Sequence, residues 1–217
     1  MSCCPPFCAA NERQFNDTVA RDDLERYRRR GPDATTRLLR DAIVEAGSGE
    51  TVLDVGAGIG ALSFELLAAG AERVTAVEAA PAYLAAARAE AGRRNVSQRF
   101  DLVHGDFVAV AADVMAADVV TMDRVVCCYP AYRPLLEAAL QHCRRLLAVS
   151  YPRDRWYVRA AVGMQNRARA LFGNPFRGFV HSARAMDALL EEHGFSRTER
   201  RETLKWSADL YVRVGAP

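Results

Sequence analysis

From Glu50 onward the chain alternates two kinds of segment. Short apolar runs at Thr51–Val55, Arg73–Glu78, Phe100–His104, Asp118–Met122 and Leu146–Ser150 are rich in β-branched residues and predict buried parallel strands. Between them stand stretches with helical spacing: Gly60 to about Ala69, an Ala-rich segment from Pro81, where proline suits a first helical turn, and Tyr132 to Cys143. This alternation predicts a doubly wound α/β sheet.

The flanks carry other patterns. Residues 1–15 lack periodicity and predict an irregular lead-in. Asn16 or Asp17 can cap a helix running through Arg30, and Gly31-Pro32 breaks it before a second helix with an apolar stripe at Leu38, Leu39, Ala42 and Ile43. Beyond the core, 155–172 predict an inserted helix and Ser182–His193 another, stopped by Gly194. Phe195–Glu202 and Leu204–Val214 lie close enough for an antiparallel pair. The expected fold is therefore a doubly wound, seven-stranded, mostly parallel sheet with an antiparallel closing strand, preceded by two amino-terminal helices.

Length changes the picture only by limiting it. A chain of 217 residues, 50% hydrophobic, supports one well-buried core. One domain over 1–217 is expected: lead-in and cap helices at 1–47, a core at 50–150, an inserted helix or lid at 153–180, and a closing helix and strand pair at 182–217. A net charge of +2 gives no strong field for nucleic acid or an anionic membrane. The opening Met1 to Cys8 has neither a basic start nor an apolar run, and no stretch approaches the roughly 20 apolar residues of a membrane helix, so a cytoplasmic protein with a small-molecule partner is expected. The pattern leaves the oligomeric state unknown. The cysteines include two adjacent pairs, Cys3-Cys4 and Cys127-Cys128, and read as reduced thiols rather than a disulfide scaffold.

The chemistry concentrates at the carboxyl ends of the expected strands. In Asp54-Val55-Gly56-Ala57-Gly58-Ile59-Gly60, glycines permit a tight strand-to-helix turn and a close backbone approach to a ligand. That turn alone also satisfies a dinucleotide pattern; the preceding acid, placed to meet a positively charged amino-acid moiety, separates the readings. Glu78, followed by Ala79, ends the second strand where an acid can accept from both hydroxyls of a ribose. Asp106 and Phe107 follow the third strand. Asp123 ends the fourth, before Cys127, Cys128 and Tyr129, and either binds the cofactor or serves as a helix cap or a partner for Arg124.

These residues resemble the first motif and strand-end acids of class I, Rossmann-like, S-adenosylmethionine-dependent methyltransferases, and the antiparallel ending is the arrangement of that class. From Phe15 onward the chain is similar to relatives of magnesium-protoporphyrin IX O-methyltransferase: an Arg- and Tyr-containing amino-terminal helix, Ala-Leu-Ser after the glycine turn, Tyr129-Pro130, Ser150-Tyr151-Pro152 and an aromatic insert. The resemblance implies S-adenosyl-L-methionine bound by Asp54, Gly56, Ala57, Gly58, Gly60, Glu78, Ala79, Asp106, Phe107 and Asp123. It implies Tyr27, Cys128 and Tyr129 beside the acceptor. The family has a His where Cys128 stands, so no His base carries over.

Other readings stay open. Methyl transfer needs little side-chain chemistry beyond placement; oxygen is the first choice of accepting atom, and Tyr129, His104 or a water can serve a phenol or amine, His104 reading more simply as structural. Cys3, Cys4, Cys8, Cys127 and Cys128 can instead hold a soft metal or metalloid, or present a thiol for methylation, against the plainer reading of a free start and small buried side chains. Arg21, Arg26, Arg28, Arg29 and Arg30 form a solvated face or steer an anionic group. Trp156, Tyr157, Phe172, Phe176 and Phe179 either form a lid or pack the insert. A binding protein without turnover, or a nicotinamide-dependent oxidoreductase, are the remaining alternatives.

Overall fold

The computed structural model describes residues 6–47 and 49–215, with side chains described from Ala10 onward. Three helices, not two, precede the sheet: α1 (Pro6–Gln14), α2 (Asp17–Arg30) and α3 (Ala34–Glu45). The lead-in expected to be irregular is thus largely helical. Its stabilisation is tertiary, which composition does not reveal: Gln14 Oε1 accepts from Asn174 Nδ2 at 2.9 Å, and the Phe15 ring meets Tyr83 and Phe176 edge-on at 5.6 and 5.4 Å. Asn16 caps α2, accepting from Thr18 N and Val19 N, and Asp33 caps α3, accepting from Thr36 N.

The core follows as β1 (Thr51–Val55), α4 (Ala61–Ala68), β2 (Arg73–Glu78), α5 (Pro81–Arg93), β3 (Phe100–His104), the short α6 (Phe107–Val110), β4 (Ala117–Asp123), α7 (Tyr132–His142) and β5 (Cys143–Pro152). After it come α8 (Trp156–Leu171), α9 (Ala183–Glu192), β6 (Phe195–Glu202) and β7 (Trp206–Arg213). The last strand starts at Trp206 rather than Leu204 because Thr203 first closes a turn, its N–H donating to Trp206 O at 2.8 Å and its Oγ1 accepting from Trp206 N at 3.0 Å.

The seven strands run in the order β3-β2-β1-β4-β5-β7-β6. Strands β1 to β5 pair parallel, and β7 pairs antiparallel with both β5 and β6, as expected of the closing pair. Alternation along each strand sends neighbours to opposite faces. Val52, Val74 and Ala148 pack with Leu39, Ile43 and Phe64 on one face; Leu53, Val120 and Leu147 pack with Leu135, Leu136 and Leu190 on the other. Each such fully buried leucine is worth roughly 1.5–3 kcal/mol relative to exposure. Chain order reverses between β1 and β4, so a crevice opens at their carboxyl ends, where ligands of such sheets bind.

Candidate active site

That crevice is the mouth of a cavity of ≈ 730 Å³, within the size range of sites for cofactor-sized ligands. Its floor is the loop from β1 to α4. Gly56 N and Ala57 N both donate to Val77 O, at 2.8 and 3.2 Å, which folds the loop back over β2. Gly56 has φ +64, and a Cβ there would stand 2.6 Å from Val125 Cγ2. Gly58, at φ +58, faces the Tyr83 ring. Only a residue without a side chain fits both the conformation and the contact at Gly56.

Three carboxylates ring the floor. Asp54 is buried and accepts from Ser63 Oγ at 2.6 Å and Thr121 Oγ1 at 2.7 Å; burial raises its pKa to about 6 against those two hydrogen bonds, with Asp123 and Glu78 adding repulsion. Glu78 accepts from Gly58 N at 2.8 Å and Ala80 N at 2.7 Å, and burial again pushes its pKa up. Asp106 caps α6, accepting from Val108 N at 3.3 Å, and is likewise raised by burial. Among the described residues none of the three has a salt-bridge partner, while Ala79 and Phe107 complete this half of the wall. Phe107 is held edge-on to His142 at 5.6 Å.

Desolvated acids without cations, set around a glycine loop, suit a ligand that brings its own donors and positive charge. S-adenosylmethionine brings an ammonium, ribose hydroxyls and an adenine amino group, so the residues present fit it. Gly60 is the one expected cofactor residue that does not line the cavity. It stands behind the loop as the left-handed cap of α4, where a Cβ would meet Phe64 at 2.9 Å.

The far wall is built on the end of β4. Asp123 is held by two hydroxyls, Thr36 Oγ1 to Oδ2 and Ser150 Oγ to Oδ1, both at 2.6 Å. Arg124 follows with φ +63, its N–H on Ser150 Oγ at 2.8 Å and its Nη1 on Asp33 Oδ2 at 2.5 Å. Those contacts hold a left-handed arginine and aim the next residues, Cys127, Cys128 and Tyr129, at the cavity. Sequence reasoning missed Thr36, Ser150 and Asp33 in this role, since their contacts lie 87, 27 and 91 residues away along the chain.

Tyr27 also lines the cavity, but its hydroxyl donates to Glu65 Oε1 at 2.8 Å and burial raises its pKa above the ordinary tyrosine value. His104 lies outside the lining residues with Nε2 3.2 Å from Ala79 O, in keeping with its structural reading. Of the basic cluster, Arg26 and Arg30 reach the cavity; Arg28 instead bonds Glu90 at 2.8 Å, and Arg21 pairs with Asp22 at 3.8 Å. The aromatic set divides. Phe176 lines the cavity beneath Arg169, whereas Trp156 and Phe172 are 80% and 87% exposed and lie outside its lining. Tyr157 donates to Leu204 O, and Phe179 stacks on His181 at 5.9 Å. Cys3 and Cys4 lie outside the described residues, as does the side chain of Cys8 in α1; Cys127, Cys128 and Cys143 are free thiols.

Comparison with known proteins agrees with this geometry. Residues 52–150 match the model of a methyltransferase domain. Ribosomal protein L11 methyltransferase of Geobacter metallireducens is 33% identical over 97 residues, 42% of this chain and 32% of that protein, so the match spans about a third of that relative's length. In structure, magnesium protoporphyrin IX methyltransferase of Synechocystis PCC 6803 with bound SAH (S-adenosylhomocysteine) superposes with a TM-score of 0.69 at 19% identity, over 91% of this chain and 100% of that one. An O-methyltransferase family protein from Burkholderia thailandensis gives 0.72 at 17% identity, over 94% and 63%.

Over residues 52–150 the chain carries a methyltransferase domain, and its fold and acid-and-glycine crevice are similar to those of class I methyltransferases, with S-adenosylmethionine as the cofactor. Over 91% of its length the chain is similar in fold to magnesium protoporphyrin IX methyltransferase. No helix among the described residues is long and apolar enough to cross a membrane.

Proposed function

We propose that this chain methylates an oxygen atom of a small-molecule acceptor. The observation that carries the reading is that one cavity is lined both by the acid-and-glycine floor and by Tyr27, Cys128, Tyr129, Phe176, Arg30 and Arg169. When bound, S-adenosylmethionine supplies a methyl group on a sulfonium, which already carries a good leaving group.

What remains for the protein is binding, orientation and exclusion of water. The ammonium falls to Asp54, the ribose hydroxyls to Glu78, and the adenine to Asp106 and Phe107; Gly56, Ala57, Gly58 and Ala79 supply the backbone surface between them. Gly60 and Asp123 act one step back, by holding the α4 start and the β4 turn. Tyr129 and Cys128 flank the acceptor. Tyr27 contributes an apolar wall rather than a base, because its hydroxyl is committed to Glu65.

Oxygen is favoured over nitrogen by the arginines of this cavity that carry no ion pair. Arg30, Arg37 and Arg169 line it and none makes a salt bridge among the described residues, an arrangement suited to an acceptor carrying a carboxylate or similar oxyanion. A carboxylate oxygen needs no base. Two fold relatives, a magnesium protoporphyrin IX methyltransferase and an O-methyltransferase family protein, are in line with this choice. The test is a screen of carboxylic acids, phenols, amines and thiols with labelled S-adenosylmethionine and the purified chain. Label transferred to an ester or ether upholds the proposal; transfer only to nitrogen or sulfur, or none at all, overturns it.

A further inference from the structure

Adjacent residues in an extended strand send their side chains to opposite faces. Cys127 and Cys128 do not, because the chain leaves β4 through the left-handed Arg124 and enters the tight helical turn Val126–Cys128. That winding brings the two sulfurs to 3.9 Å from each other, both directed at the carbonyl oxygen of Arg124, at 3.1 Å from Cys127 and 3.5 Å from Cys128. Both residues line the cavity.

The spacing is chemically specific. Two sulfurs with bonds near 2.3 Å to one centre stand roughly 3.3–3.8 Å apart as the angle opens from pyramidal to tetrahedral, so the pair at 3.9 Å needs only a small approach to share an atom. Among the described residues no group of three or more His, Cys, Asp or Glu side chains is placed to hold a metal ion. Among the described residues the turn offers two sulfurs, which suits a soft centre that keeps one substituent of its own and exchanges two. Trivalent organoarsenicals are that class.

We propose that Cys127 and Cys128 form a two-thiol site, opening into the methyltransferase cavity, for a soft thiophilic centre of the trivalent organoarsenical kind. Each thiol displaces one hydroxyl from the centre. Two arsenic–oxygen bonds break and two arsenic–sulfur bonds form; the two thiol protons leave with the two hydroxyls as water, and nothing is oxidised or reduced. Cys128 is the more exposed and makes the first bond; the buried Cys127 closes the ring. The hydrogen bond with Cys128 and burial hold the Cys127 thiol well above the ordinary range, so its proton passes to the departing hydroxyl as the second arsenic–sulfur bond forms.

The site needs the cavity but not the acceptor named above, and its readout is thiol stoichiometry rather than turnover. The probe is phenylarsine oxide, titrated against the full chain carrying Cys3→Ser, Cys4→Ser and Cys8→Ser, so that only Cys127, Cys128 and Cys143 remain. The expected result is one equivalent bound with loss of two titratable thiols, stable to excess 2-mercaptoethanol and reversed by a dithiol. Cys128→Ser, at a half-exposed position, should weaken binding at least 100-fold while leaving the thermal melt in place, and Cys127→Ser should do the same wherever it folds. Binding that a monothiol reverses, loss of fewer than two thiols, or unchanged affinity in Cys128→Ser overturns the proposal.

Discussion

Glu78 ties the glycine loop to the neighbouring strand: its Oε2 accepts from Gly58 N at 2.8 Å while its Oε1 accepts from Ala80 N at 2.7 Å. One carboxylate at the end of β2 thus shapes the loop at the end of β1 and faces the cavity between them. Glu78→Ala should lower affinity for adenosylhomocysteine by roughly 10–100-fold, the scale of one or two charge-assisted hydrogen bonds. Isothermal calorimetry checks it, with the thermal melt showing that the fold survives; affinity within twofold of wild type would refute the assignment.

Gly56→Ala combines two penalties, a side chain at φ +64 and a Cβ 2.6 Å from Val125. We expect a destabilisation of about 1–3 kcal/mol and loss of adenosylhomocysteine binding. Val125→Ala opens the space and should restore part of both. A denaturant titration of the single and double variants measures the coupling, and purely additive effects would exclude the contact.

Asp54 gives the site a pH dependence with a definite sign. Its pKa in the free protein is raised to about 6, so it is largely protonated below that pH, while a cationic ligand favours the ionised form. Binding below pH 6 must expel the proton. Affinity for S-adenosylmethionine should therefore fall by about tenfold for each unit below pH 6, or about 1.4 kcal/mol, and Asp54→Asn should flatten the profile. A wild-type profile flat from pH 5 to 7 would place the ammonium elsewhere.

The fold has its own acid sensitivity. Glu90, fully buried, accepts from Arg28, Arg93 and Arg94 at 2.9, 2.8 and 2.7 Å, joining α2 to α5, and chiefly the Arg93 bond lowers its pKa to about 2. A depressed carboxylate stabilises the folded state above its unfolded pKa, near 4.3, and loses that contribution as pH falls toward 2. The contribution is about 3 kcal/mol. Glu90→Gln should lower stability at pH 7 by a similar amount and reduce its loss between pH 4.5 and 2.5, as followed by urea denaturation at each pH.

How much of this was legible beforehand depends on the range of the interaction. The strands at Thr51–Val55, Arg73–Glu78 and Phe100–His104 occur with the expected limits, because a parallel strand is written locally as a short, largely apolar run ended by glycine or acid. The strand-end acids and the glycine turn were legible for the same reason: their positions follow from the strand boundaries.

What sequence by itself determined is the sheet, its antiparallel closure and the acid-and-glycine floor of the crevice, since periodicity and turn chemistry act over a few residues and are recorded there. Tertiary structure alone decided the rest. Helix α1 exists through Gln14, Phe15 and their distant partners; Asp123 is bound by hydroxyls from α3 and β5; Tyr27 is turned away to Glu65. The two adjacent cysteines face one way because a left-handed Arg124, held by Asp33 and Ser150, redirects the chain before them. Each of these depends on contacts between segments far apart in the chain, and such contacts leave no local pattern to read.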